Sequence, residues 1–311
     1  MGLGLAALGR PGYINLGHAA DLEHDYDPAV MEARTHAVLD AAWAAGVRYI
    51  DVARSYGRAE AFLSTWLARR RITPEHITVG SKWGYTYTAG WRVTAAAHEI
   101  KEHSVAVLTR QFGESRRFLG AYLDLYHIHS ATLDSGVLDN DDVLRALGRI
   151  RTEGVRVGLT LSGPLQTATL HAALTIRIDG QRLFDCVQAT WNLLEPSAGA
   201  AFEQAHAAGM GVIIKEALAN GRLTARDAIM HARLAGVATR LGTTVDALAL
   251  AAALAQPWAD VVLSGAASIE HLQSNLTALN VPWNDDIAAE LRSLIEPPEE
   301  YWATRAKLPW N

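Results

Sequence analysis

Eight short apolar runs set the limits on what this chain can fold into. They fall at residues 3–8, 49–53, 77–82, 123–129, 155–161, 186–191, 211–215 and 261–263. They are rich in Val, Ile and Leu and show little in–out alternation. That pattern belongs to strands buried on both faces. Between them lie segments long enough for a helix, and alternating strand and helix implies right-handed parallel crossovers. Eight such units close into a (β/α)8 TIM barrel, with the chemistry at the C-terminal ends of the strands. A doubly wound sheet is the competing architecture. It is disfavoured because no G-x-G-x-x-G follows the first run; Gly2, Gly4 and Gly9 have the wrong spacing.

The expected helices begin near residue 30, ending at Gly46, and continue at 59–70, 95–112, 141–153, 165–175, 197–208, 226–240, 245–255 and 269–279. Residues 9–29 read as a long loop and 83–94 as an aromatic-rich one. A tail from Asp285 carries one more helix. No internal repeat or low-complexity linker divides the chain, so residues 1–311 read as one α/β domain.

Composition bounds the partners. Of 311 residues, 50% are hydrophobic and 20% charged, with a formal net charge of -5 and no basic block. That argues against nucleic acid as a partner. No apolar run is long enough to span a bilayer, and the N-terminus lacks a basic leader. Cys186 is the only cysteine and lies in a strand pattern, so it reads as an inert buried thiol, and a cytoplasmic location fits. The expected partner is a small molecule; oligomeric state is not legible, and a monomer is compatible with the sequence.

Three of the runs end in ionisable groups. Asp51 and then Tyr56 follow the second, Lys82 ends the third, and His129 ends the fourth. As neighbouring parallel strands they would bring a carboxylate, a phenol, an ammonium and an imidazole to one end of the sheet. Taken singly, each has an ordinary explanation: a turn cap, a solvated strand end, a packed aromatic, a structural histidine. Four at successive strand ends are harder to dismiss. A carbonyl compound needs a hydride at carbon and a proton at oxygen. Tyr56 would supply the proton, with Lys82 lowering a phenol pKa that is ordinarily about 10. Asp51 would hold Lys82, and His129 would orient the substrate oxygen. His127 is expected to face the other side of its strand, packed under a helix.

These motifs resemble the aldo-keto reductase superfamily. The resemblance rests on Asp51-x-x-x-x-Tyr56-Gly57, Ser81-Lys82, Asp124-Leu125-Tyr126-x-x-His129, Val187-Gln188-x-x-Trp191-Asn192 and the Ser264–Ser268 turn with Asn275, in the family's order over nearly the whole chain. It implies an NAD(P)-dependent oxidoreductase that interconverts a small aldehyde, ketone or sugar and its alcohol, with Asp51, Tyr56, Lys82 and His129 catalytic. It also implies a nicotinamide dinucleotide bound without a Rossmann fold. The resemblance assigns cofactor contacts to Gly4, Leu5, Ala6, Asp51, Ser162, Gly163, Gln188, Trp191, Glu216, Ala217, Leu218, Gly265, Ala266, Ala267, Ser268, His271, Ser274 and Asn275. Trp191 would stack on the nicotinamide and Gln188 would bond its carboxamide. Gly163 replaces an Asn that in relatives makes a carboxamide contact. Glu216 stands where a pyrophosphate-contacting loop usually has Ser, so it must point away or pair with Lys215 or Arg222. Gly265 and His271 replace basic residues common in NADP-preferring members. NADP(H) is favoured by family habit, with NAD(H) the alternative.

Substrate contacts are expected from Tyr13, Trp83, Tyr85, Tyr87, Trp91, Trp191 and the tail aromatics Tyr301, Trp302 and Trp310, with Arg54 as an anchor for a polar group. Trp83 to Trp91 could equally be a hydrophobic cluster that pins its loop. Two other readings compete: a nicotinamide-binding regulatory barrel with little turnover, and a metal-dependent barrel hydrolase suggested by His127-x-His129. No ligand set for a metal is completed in the sequence.

Overall fold

The computed structural model describes residues 1–311. Eight parallel strands close into a barrel: Gly2–Gly4, Tyr49–Asp51, Thr78–Trp83, Leu123–Ala131, Arg156–Leu161, Cys186–Thr190, Gly211–Lys215 and Val261–Ser264. Each pairs with its neighbours in chain order, and the first pairs with both the second and the last. They are referred to below as strands one to eight. The expected barrel is therefore the observed one.

Apolar side chains form two cores that concern the barrel, besides a small satellite cluster of Leu22, Met31 and Phe62. The larger lies between the strands and the surrounding helices. The smaller, made of Tyr49, Leu125, Cys186, Ile213 and Leu263, comes from five strands and plugs the barrel interior. Residues two apart on a strand share a face. One step above the floor are therefore Asp51, His127, Gln188 and Lys215, with Lys82 in register with His127, and one step higher are His129 and Thr190. Apolar residues fill the floor and polar groups gather at the C-terminal rim.

Local chemistry explains most boundaries. Asp27 caps helix Pro28–Ala44, which opens on Pro28; Asn140 caps Asp141–Thr152, Thr244 caps Val245–Leu254 and Ser268 caps Ile269–Thr277. Four sequence expectations change. The first strand ends at Gly4, because Leu8 and Gly9 turn back onto Leu5 O. The long loop after it holds a short helix, His18–Asp21. The helix expected from residue 95 starts at Val105, where Ser104 caps it. The Ala-rich stretch before it gives way to strand Glu99–Lys101, which pairs antiparallel with Tyr85–Tyr87. Tertiary pairing there overrides helix propensity. The tail carries two helices, Asp285–Leu291 and Pro298–Ala306, broken at Pro297. A small hairpin, Arg177–Ile178 with Gln181–Arg182, is also present.

Interior packing leaves no room at strand five. A Cβ on Gly158 would sit 2.6 Å from both Cys186 Sγ and His127 Cδ2 and 2.8 Å from Cys186 O. Gly158→Ala should lower unfolding stability by about 1–3 kcal/mol, the usual cost of overpacking. A urea midpoint equal to wild type would contradict this packing.

Candidate active site

The site is built around a buried ion pair. Lys82, 1% exposed, donates through Nζ to Asp51 Oδ2 and, at 2.9 Å, to Val52 O. Asp51 Oδ1 accepts from Gln188 Nε2 at 2.7 Å. Strands two, three and six thus meet at one carboxylate. Burial pulls the Lys82 ammonium below its ordinary range, against the opposing pull of Asp51. Neither partner can leave without stranding the other's charge away from water.

Tyr56 lies beside this pair, with Lys82 Nζ 4.6 Å from its ring centroid. No hydrogen bond joins Lys82 to the phenol. Burial and the Asp51 charge push the Tyr56 hydroxyl well above the usual phenol range, outweighing Arg10. In the free protein burial outweighs any lowering by Lys82, and Tyr56 is a neutral acid. The His129 ring stands edge-on to Tyr56 at 5.6 Å and to Tyr85 at 4.9 Å. Its Nδ1 faces Ser55 Oγ at 3.4 Å, which leaves Nε2 without a protein partner. Burial, then the Lys82 and Arg10 charges, hold His129 far below its ordinary pKa, so it is neutral.

These groups line an open cleft of about 540 Å³, in the range of small-molecule sites. Asp51, Tyr56 and His129 line it, and Lys82 lies behind Asp51. Of the residues assigned to a cofactor, Gly4, Ala6, Ser162, Gln188, Glu216, Ala217, Leu218, Gly265, Ala266, His271, Ser274 and Asn275 also line it. Leu5, Gly163, Ala267 and Ser268 do not. Leu5 and Ala267 are buried beneath, and Ser268 spends its hydroxyl on His271 N.

Trp191 is a correction. It is 8% exposed, packs against Trp258 at 5.9 Å and lies outside the cleft. Residue 191 follows the end of strand six, and its indole joins the core between strands and helices. The group over the interior at that level is Lys215, paired in register with Thr190. His127 is a second correction. It faces inward as His129 does, since two residues separate them. Its Nδ1 bonds Ser81 O at 3.2 Å and its Nε2 faces Cys186 Sγ at 3.2 Å. Both imidazole nitrogens are thus engaged, and no group of three His, Cys, Asp or Glu gathers to hold a metal.

Arg54 is engaged by Glu60 and Glu114 behind the barrel, not by the cleft. Of the aromatics, Tyr13, Tyr85 and Trp310 form cleft wall. Trp83 is fully buried, and Trp91 bonds Tyr26 O at 2.7 Å and packs with Phe62 in a satellite cluster. Tyr301 and Trp302 lie on the C-terminal helix and are buried on its core-facing side.

Of the alternatives for Glu216, pairing with Lys215 is the one observed; Arg222 bonds Glu296 instead. Glu216 adopts φ 55° and is clamped by Arg305 Nε at 3.0 Å, by Thr190 Oγ1 at 3.1 Å and by the Lys215 ammonium at 3.6 Å. Arg305 lies in helix Pro298–Ala306, so this clamp fastens the C-terminal helix to strand seven. Arg10 also reaches the cleft. The sequence carries no periodicity or motif that marks either arginine.

Residues 1–296 match the aldo/keto reductase family. The aldo-keto reductase ausK of Aspergillus calidoustus is 25% identical over 304 residues, covering 87% of this chain and 74% of that protein. The pyridoxal 4-dehydrogenase of Microbacterium luteolum is 31% identical over 148 residues, but this covers only 40% of this chain and 42% of that one. An aldo-keto reductase from Bacillus halodurans, solved in its holo form, has the same fold: TM-score 0.71 at 19% identity, over 96% of this chain and 92% of that one.

The Glu216 clamp makes stability acid-sensitive. Burial alone would raise its carboxyl, yet the Arg305 and Lys215 charges and the bonds from Arg305 and Thr190 bring it down to about 2. A depressed carboxyl stabilises the fold fully above its unfolded pKa of about 4.3 and loses that contribution as pH falls towards 2. Between pH 5 and 2.5, wild type should therefore lose about 2 kcal/mol more unfolding stability than Glu216→Gln. Urea titrations at the two pH values measure the difference, and parallel losses would refute the clamp.

Proposed function

The chain belongs to the aldo/keto reductase family, and from that premise we propose that it reduces a small carbonyl compound with Tyr56 as the proton donor. As a family member it is an NAD(P)H-dependent oxidoreductase. The observation that carries the finer reading is the cleft wall itself: a neutral phenol and the free Nε2 of a neutral imidazole, side by side, with a buried ammonium behind them.

A Ser55 hydroxyl that donates to Nδ1 sets the tautomer with the proton on Nε2, and Nε2 then donates it as a hydrogen bond to the substrate oxygen. Tyr56 donates its proton to the same oxygen as negative charge builds there. The resulting phenolate lies near Lys82, whose charge is worth more in a site shielded from water. Asp51 and Gln188 keep Lys82 in place. In the reverse direction the same groups accept the proton from an alcohol.

The residues present suit a nicotinamide dinucleotide. Gln188 Oε1 takes no hydrogen bond within the protein, so it is open to a carboxamide donor, with Ser162 nearby in the wall. The cleft continues past Ala217 and Leu218 to the start of helix Ile269–Thr277, where Gly265 leaves open space and backbone amides favour phosphate. The bound nucleotide supplies or takes up the hydride, which no side chain can do.

The adenosine end favours NAD(H) over the NADP(H) of family habit. Arg226 is engaged by Asp21, which also lies 3.7 Å from His271, and Asp246 adds a second carboxylate to the same wall. A 2′-phosphate would meet two carboxylates and no free cation. Free Cys186 suits a reducing compartment such as the cytoplasm.

Tyr56→Phe should reduce turnover at least ~100-fold, the usual scale of general acid catalysis, while nucleotide binding read by tryptophan quenching stays within about threefold. Turnover near wild type would remove Tyr56 from the mechanism. In the same quenching titration NADH should bind more tightly than NADPH; the opposite order would refute the reading of the Asp21–Arg226–His271 group.

A further inference from the structure

Arg10 is a buried cation in the cleft wall that the reaction above does not use. It is 2% exposed and lies in the loop after strand one. Nη1 does all its hydrogen bonding, donating to Ser55 O at 3.1 Å and to Glu99 Oε2 at 2.9 Å. Nε is buried with no partner, and Nη2 makes no hydrogen bond. A buried guanidinium seldom leaves a donor unmatched, and an orphan of this kind calls for an explanation. Nε and Nη2 form the edge of the guanidinium that grips a carboxylate through two parallel hydrogen bonds.

The surroundings narrow the ligand. Three rings surround the guanidinium: Tyr13 at 4.9 Å, Tyr56 at 5.2 Å and Trp310 at 4.8 Å from Cζ. The charge therefore sits beside the proton donor in an aromatic slot. At the catalytic end of the cleft, Arg10, Lys215 and Arg305 face two carboxylates, Glu99 and Glu216, while Asp51 and Lys82 offset each other; Asp21, Asp246 and Arg226 belong to the adenosine end. Lys215 keeps its proton at neutral pH, since burial lowers it only to about 8 against the pull of Glu216. One positive charge is left over. A dianion would overload it and meet Glu99 and Glu216; a single carboxylate matches it.

We propose that Arg10 anchors a carboxylate of the carbonyl substrate through its Nε–Nη2 edge, so that the cleft selects an oxo acid over a neutral aldehyde or sugar. The closeness of Arg10 to Tyr56 places that carboxylate within a few bonds of the reacting carbonyl. The proposal rests on the carbonyl-reductase reading, and it names the substrate class of that same site. Arg54, the anchor the sequence suggests, is already held by Glu60 and Glu114, so Arg10 takes that role.

Two measurements on the protein loaded with its tighter-binding nicotinamide nucleotide test this. In the first, 3- and 4-carboxybenzaldehyde are compared with their methyl esters as substrates. Wild type should favour at least one acid over its ester by tenfold or more in kcat/KM, mainly through KM. Arg10→Met should erase that preference while changing ester turnover by less than about threefold. Equal treatment of acid and ester by wild type, or an equal loss on both in Arg10→Met, would overturn the proposal. In the second, benzoate and benzamide are titrated by calorimetry. Benzoate should bind wild type at least tenfold more tightly, Arg10→Met should lose that margin, and Glu99→Gln, which leaves Arg10 in place, should widen it. No benzoate margin in wild type, or no change in either variant, sinks the anchor whatever the turnover. A margin that depends on Arg10 in a protein reducing none of the aldehydes sinks the Tyr56 reading instead. Loss of the margin in Lys215→Met but not in Arg10→Met moves the anchor to Lys215 and overturns the assignment.

Discussion

The Lys82–Asp51 pair is the constraint from which the rest of the site follows. An ammonium and a carboxylate removed from water stay ionised only while they face each other and their spare bonding capacity is met. Val52 O and Gln188 meet it here, so strands two, three and six are fixed in one relative register at the barrel rim. The apolar plug of Tyr49, Leu125, Cys186, Ile213 and Leu263 below keeps water from entering from the other end. Tyr56 and His129 are then placed against a charge that cannot move. The fold thus has an apolar floor, a layer of paired polar groups above it, and reactive groups on top.

Distant parts of the chain close over this platform through charge pairs. Arg305 reaches from the C-terminal helix to Glu216 at the end of strand seven. Arg226 reaches across the cleft to Asp21 and Leu16 O, and Leu16 N bonds Asn220 O at 3.0 Å. At the C-terminus, Asn311 and Tyr13 exchange backbone hydrogen bonds at 3.1 Å in both directions. The indole of Trp310 stacks on His98 at 4.0 Å. The first loop, the loop after strand seven and the tail therefore share the cover of one cleft, and Arg10 sits where the first loop and the tail meet.

Sequence reading went furthest where one-dimensional spacing maps directly onto geometry. All eight strands were legible, because apolar runs between helix-length segments have few other uses. Asp51, Tyr56, Lys82 and His129 were legible as groups that arrive at one sheet edge. Period-two geometry also puts His127 and His129, two apart, on one face, against the expectation that they face opposite ways. Trp191 follows the end of strand six, and its place was decided by packing against Trp258. The helix start at Val105 was less accessible, because the strand Glu99–Lys101 exists only through its pairing with Tyr85–Tyr87.

Arg10, Glu99, Glu216 and Arg305 belong to a different class. Their roles depend on pairs separated by about ninety positions, Arg10 with Glu99 and Glu216 with Arg305. No local pattern encodes such a partner, since a charged residue on a loop reads the same whether it meets solvent or a counterion. The sequence alone determined the barrel, its strand order and the proton-handling groups, because alternation and apolar length act locally along the chain. Tertiary structure alone decided which charges are matched and which face the cleft, because a buried charge is set by whatever the rest of the chain folds against it.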